Sequence, residues 1–100
     1  MTWINVIDEG RQTFRHDLRV GVEVYIDEST VDHNAILVNI NHTGMYLVTR
    51  HRLYVKQKVV VGVPTENLEE LIKIRAEVMR VGNHRSWGMF SYGCRILQDD

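Results

Sequence analysis

Val20-Gly21-Val22-Glu23-Val24-Tyr25-Ile26 alternates without a break. Successive side chains of a strand point to opposite faces, so Val20, Val22, Val24 and Ile26 share one face, and Glu23 and Tyr25 lie on the other. The stretch reads as a half-buried strand. Downstream, Asp27-Glu28-Ser29-Thr30 and Asp32-His33-Asn34 carry turn chemistry. Residues 35–40 form a second strand, broken by Asn41-His42-Thr43-Gly44, and residues 45–49 a third. Arg50-His51-Arg52 is a charged turn. Residues 53–63 read as a fourth strand, ended by Pro64, which opens a loop with room for one helical turn at 68–71. Ile72, Ile74, Ala76 and Val78 then alternate against Lys73, Arg75 and Glu77 as a long fifth strand. Gly82-Asn83-His84-Arg85-Ser86 reads as a hairpin loop, and residues 87–97 as the sixth strand.

Six strands at short spacing with little helix predict an all-β barrel or sandwich, and a closed barrel also removes exposed strand edges. Upstream, Trp3, Ile4 and Ile7 could share one face of a helical turn, and residues 11–18 have no period and read as a connector. The expected organisation is an N-terminal segment and connector over 1–19, a barrel over 20–97 and a tail over 98–100.

A chain of 100 residues predicts one domain with a small core, about two-thirds of its unfolded surface being buried. Hydrophobic residues make up 44% and charged residues 25%, as in ordinary globular proteins. The net charge of −1 supplies no global field for DNA or RNA. Nine of the twelve basic residues are arginine, a bias that suits directed anion contacts. Cys94 is the sole cysteine, which excludes an internal disulfide and a cysteine-based metal site and points to a reducing, cytoplasmic setting. Residues 1–10 lack the basic and apolar regions of a signal peptide, and no apolar run reaches the ~20 residues of a membrane span. His16, His33, His42, His51 and His84 are scattered, with no metal-site spacing, and no nucleophile elbow or phosphate-binding loop is present. The expectation is a protein that is not an enzyme and needs no cofactor or metal.

The residues that suggest a ligand flank the first two strands. Arg15 and Arg19 sit one helical turn apart just before Val20, and Asn39, Asn41 and Gly44 close the second strand. A guanidinium donates in pairs to phosphates and to the O6/N7 edge of guanine, and an amide both donates and accepts. Each feature also has a plainer reading: solvated arginines in a connector, and a turn that uses Asn and Gly for their backbone freedom.

Taken together these residues resemble the signature of PilZ domains, bacterial receptors for the dinucleotide second messenger cyclic di-GMP. That family carries RxxxR before its first strand and [D/N]xSxxG after the next. Arg15 and Arg19 match the first motif, and Asn39 and Gly44 the second, while Asn41 stands where the family has Ser. Trp87-Gly88-Met89-Phe90-Ser91-Tyr92-Gly93-Cys94-Arg95-Ile96-Leu97 is similar to the family's last strand, so the resemblance spans residues 11–97. It implies a six-stranded antiparallel β-barrel of split or Greek-key type. It also implies cyclic di-GMP as ligand, held by Arg15, Arg19, Asn39, Asn41 and Gly44, and a downstream protein partner. Arg11, Phe14, His42, Trp87 and Arg95 are accessory candidates. In the family an Arg in the place of Phe14 accompanies an intercalated ligand dimer, so Phe14 implies a single ligand or a ring stacked on guanine; as a bare residue it reads equally as a core anchor. Two rivals stay open at this point: a degenerate domain acting as a protein-interaction adaptor, and a small barrel binding single-stranded nucleic acid, against which the near-zero net charge argues.

Overall fold

The computed structural model describes residues 19–65, 70–86 and 88–98, the stretch 83–86 by its backbone alone. Within them the strands are β1 (Val20–Tyr25), β2 (Val31–Ile40), β3 (Gly44–Thr49), β4 (Lys58–Pro64), β5 (Leu71–Ser86) and β6 (Met89–Ile96). All neighbouring pairs are antiparallel, and the sheet closes on itself in the order β1-β2-β3-β6-β5-β4, with β4 returning to β1. No helix occurs among the described residues. The architecture is the all-β, six-stranded antiparallel barrel that the alternation predicted.

The inward faces fill the barrel. Val22 and Val24 from β1 meet Ala35, Leu37 and Ile40 from β2, Met45 and Leu47 from β3, Val59, Val61 and Val63 from β4, Ala76 and Val78 from β5, and Tyr92 and Cys94 from β6. Val20 and Ile26 pack against this cluster from the ends of the first alternating stretch. Each valine, leucine, isoleucine or methionine among them stabilises by about 1.5–3 kcal/mol on removal from water.

Four register shifts interrupt the ladders; one lies between Val81 and Arg85 of β5, and each of the other three places a polar residue where strict alternation would not. Between β1 and β2 the extra residue lies at 33–34, since Val22 pairs with Ala35 and Val24 with Asp32. Asp32-His33-Asn34 is therefore a bulge inside β2 rather than a turn, and Asp32 faces inward at 5% exposure. Between β2 and β3, Leu37 pairs with Leu47 and Asn39 with Tyr46, leaving Val38 as the extra residue. Between β5 and β6, Val78 pairs with Cys94 and Arg80 with Gly93, leaving Met79 as the extra residue.

The element boundaries needed other corrections. Residues 53–57 do not belong to β4. Leu53 is buried, and Tyr54 to Gln57 make a turn closed by the Gln57 N–H donating to the Tyr54 carbonyl at 2.9 Å, with Lys56 at φ 75°. Pro64 is the last residue of β4, paired with Leu71, because the end of a strand does not require the donor that proline lacks. Leu71 opens β5 rather than ending a helical turn, and the rest of the loop expected at 64–70 lies partly outside the described residues. Finally, 82–86 continue β5 to Ser86, which pairs with Met89, and Gly88 turns the chain at φ 70°. Gly82 is glycine for close approach, as an added Cβ would collide with the Tyr46 phenol and the Ser91 hydroxyl.

Candidate functional site

The β2–β3 turn is built by one side chain. Asn41 Oδ1 accepts from Gly44 N (2.9 Å), Thr43 N (2.9 Å) and Thr43 Oγ1 (3.0 Å), and the Asn41 N–H donates to the Gly44 carbonyl at 2.9 Å. This is the local bonding that makes Asn favourable in turns. The turn is then fastened to the end of β6, where Ile96 N–H donates to the Thr43 carbonyl at 2.8 Å. Gly44 allows that approach, since a Cβ there would stand 2.9 Å from the Cys94 carbonyl oxygen.

Beside the turn, four residues form one rung across the outer face of the sheet: Asn39 of β2 pairs with Tyr46 of β3, Tyr46 with Gly93 of β6, and Gly93 with Arg80 of β5. The missing side chain of Gly93 leaves a hollow in the middle of the rung. Arg80 lies across it, with its Nε 2.8 Å and its Cγ 3.0 Å from where a Gly93 Cβ would be. Met79, half exposed at 48%, stands next to Arg80. Together these groups line a cleft of about 420 Å³, with Val38, Asn41, Thr43 and Gly44 on the turn side. The two bulges at Val38 and Met79 are what aim Asn39 and Arg80 outward; without them each would take the inward parity of its neighbours.

The chain enters at the edge of this cleft. Val20 pairs with Leu37, so Arg19 lies alongside the bulge at Val38. Arg19 is exposed and holds φ at 47°, a left-handed conformation that an L-residue without glycine's freedom rarely adopts.

The cleft thus brings together Asn39, Asn41 and Gly44 and starts beside Arg19. Arg11, Phe14, Arg15 and Trp87 lie outside the described residues. His42 is exposed on the turn and does not line the cleft. Arg95 sits two ladder positions beyond Gly93, paired with Gly44, but its Nε is bonded to Glu77 Oε1 at 2.7 Å and it does not line the cleft. Tyr46, Met79, Arg80 and Gly93 were not singled out from the sequence. The one signal was the glycine in the last strand, whose partner across the ladder is set by the bulge.

Among the described residues the cleft offers hydrogen-bond donors, one guanidinium, one aromatic ring and an exposed thioether, a set suited to binding a planar, anionic molecule. The Cys94 thiol behind it faces the core, and burial pushes its pKa up to about 12. Elsewhere Glu23 accepts from the Tyr25 hydroxyl at 2.6 Å and contacts His33 Nδ1 at 3.0 Å, and chiefly the Tyr25 hydrogen bond holds its carboxyl below the usual range. Among the described residues no group of three His, Cys, Asp or Glu could hold a metal, and no helix is long and apolar enough to cross a membrane.

No curated protein and no solved structure matched the chain in comparison. A family model described as PilZ domain matches residues 9–100.

Proposed function

Because this chain belongs to the PilZ domain family, a family of cyclic di-GMP receptors, we propose that it binds cyclic di-GMP in the cleft beside the β2–β3 turn and leaves it chemically unchanged. The observation that carries this reading is the rung Asn39–Tyr46–Gly93–Arg80, which opens a hollow next to the point where the arginine-bearing segment joins β1. Arg15 and Arg19 would grip phosphate or the guanine edge through paired, charge-assisted hydrogen bonds. Arg80 and Met79 would offer a guanidinium plane and a soft thioether to a purine face. The Asn41 carbonyl oxygen is committed to the turn, so its amide nitrogen is the group it has for a ligand.

The output we infer is ordering of residues 11–19 over the ligand. Ligand that binds the ordered form better shifts the population toward it and changes the surface shown to a cytoplasmic protein partner. A second reading is an adaptor without nucleotide. It is favoured by Asn41 in the place of Ser, with its oxygen already spent on the turn.

Calorimetric titration with cyclic di-GMP separates the two. The receptor reading expects saturable binding in the micromolar range or tighter, weakened by at least about tenfold, or ~1.4 kcal/mol, in each of Arg15→Ala, Arg19→Ala and Arg80→Ala. Absence of heat, together with an unchanged melting temperature at high ligand, sinks it and leaves the adaptor.

A further inference from the structure

Tyr46 donates its hydroxyl hydrogen to Ser91 Oγ at 2.7 Å, and on the far side of this bond a second cleft of about 550 Å³ opens. Its walls carry Arg52, Tyr54, Val81, Met89 and Phe90, with Gly82 and Gly88 leaving the floor low. Tyr54 and Val81, both on the cleft wall, are 66% and 57% exposed, and Val55, next to Tyr54 in the chain, is 52% exposed. Large apolar side chains in water around a cleft are the mark of an interaction surface.

This exposure does not come from a loosely held loop. Leu53 N–H donates to the Tyr92 hydroxyl at 2.8 Å, and Tyr54 N–H to Gln57 Oε1 at 2.9 Å. Lys56 N–H donates to the Val78 carbonyl at 2.6 Å, and Val78 N–H to the Gln57 carbonyl at 2.8 Å. The segment 53–57 is stitched to β5 and β6, and its apolar groups are presented in fixed positions.

Arg52 is the charged side chain on the cleft wall, Arg50 and His51 precede it in an exposed turn, and no acidic side chain lines the cleft among the described residues. The Arg52 guanidinium stands 5.3 Å from the centre of the Phe90 ring, which holds the cation at the edge of the apolar floor. We propose that this cleft docks a segment of a partner protein in which aliphatic or aromatic side chains are flanked by aspartate or glutamate. A second copy of the chain fits less well, because a twofold interface must be self-complementary and this patch offers, among the described residues, no acidic side chain to meet Arg52. Nucleic acid fits less well because the cleft walls are largely apolar and the chain carries a net charge of −1. The proposal goes beyond the first cleft and stands whether or not nucleotide binds there.

The test is a nuclear magnetic resonance titration of the isotope-labelled full chain. The probe is a short amidated peptide alternating glutamate with leucine and phenylalanine, and the control is the same peptide with lysine for glutamate. Docking predicts shifts centred on Leu53, Val81 and Phe90. It also predicts at least about tenfold weaker binding to Arg52→Glu or Val81→Asp, and a gain for the lysine peptide on Arg52→Glu. Both variants change exposed residues, and an unchanged melting temperature checks that they fold. The proposal is overturned by equal binding of the two peptides, by shifts elsewhere, or by none at millimolar peptide. It is also overturned if the same resonances move on concentrating the protein alone, which makes the occupant a second copy, or on deleting residues 1–9, which makes it the chain's own N-terminal segment.

Discussion

Asp32 is a carboxylate at 5% exposure, and what it does there is decided by its partners. Burial alone would raise its pKa, but the hydrogen bonds outweigh burial: the Thr49 hydroxyl, Asn34 N–H at 2.8 Å and Arg50 N–H at 3.4 Å all donate to it. Its pKa therefore lies below the ordinary aspartate value, and its contribution to stability is present above about pH 3.9 and lost as the pH falls through the lower folded value. The bonds tie the end of β3 to β2 and so set where Arg50, His51 and Arg52 begin. Asp32→Ala should cost about 1–3 kcal/mol, because Thr49 loses its buried acceptor. Urea melts of the two proteins at neutral pH and at acid pH check this, and the gap between them should narrow as the pH is lowered below about 4.

At the scale of elements, two glycines beside the first cleft perform different tasks. A Cβ at Gly44 would meet the Cys94 backbone carbonyl, which cannot move without shifting β6, whereas a Cβ at Gly93 would meet the Arg80 side chain, its Nε at 2.8 Å and its Cγ at 3.0 Å, and that exposed side chain can swing away. Gly44→Ala is expected to lower stability by about 1–3 kcal/mol, a drop of several degrees in melting temperature for a domain of this size. Gly93→Ala is expected to stay within about 1 kcal/mol of the parent while expelling Arg80 from its hollow and weakening cyclic di-GMP several-fold. Thermal melts paired with ligand titration distinguish them; a Gly93→Ala protein that binds as tightly as the parent removes Arg80's place in the site. Strand existence was legible because apolar alternation over 20–26 and 72–78 has no helical counterpart. The bulges at 33–34, Val38 and Met79 were not, because an extra residue in a ladder is defined by the partner strand and leaves no mark in its own sequence. For the same reason Asp32 to Asn34 read as a turn, and the polar stretch 82–86 as a loop, when both lie in strands.

The whole molecule adds what no strand has alone. Closure pairs β1 with β4 and β3 with β6, removing free edges and enclosing Cys94 at 5% exposure. With its pKa pushed up to about 12 by that burial, the thiol stays protonated at neutral pH and has little access to reagents. Iodoacetamide should label the native protein far more slowly than the protein in guanidinium, and labelling at equal rates would mean that the β3–β6–β5 wall opens readily. Closure also sets the two clefts side by side, parted by the Tyr46–Ser91 hydrogen bond, with the cationic 50–52 turn on one and the entry of the chain on the other.

By itself the sequence determined the strand count, the all-β class, the family and the local chemistry of the β2–β3 turn, because alternation, turn residues and short motifs act over a few positions along the chain. Only the tertiary structure decided that Arg80 crosses Gly93 opposite Asn39, that Arg95 is taken by Glu77, and that Tyr54, Val81 and Arg52 share a cleft. These neighbours come from different strands, and their meeting depends on ladder register and barrel closure, which long-range pairing sets and local sequence does not.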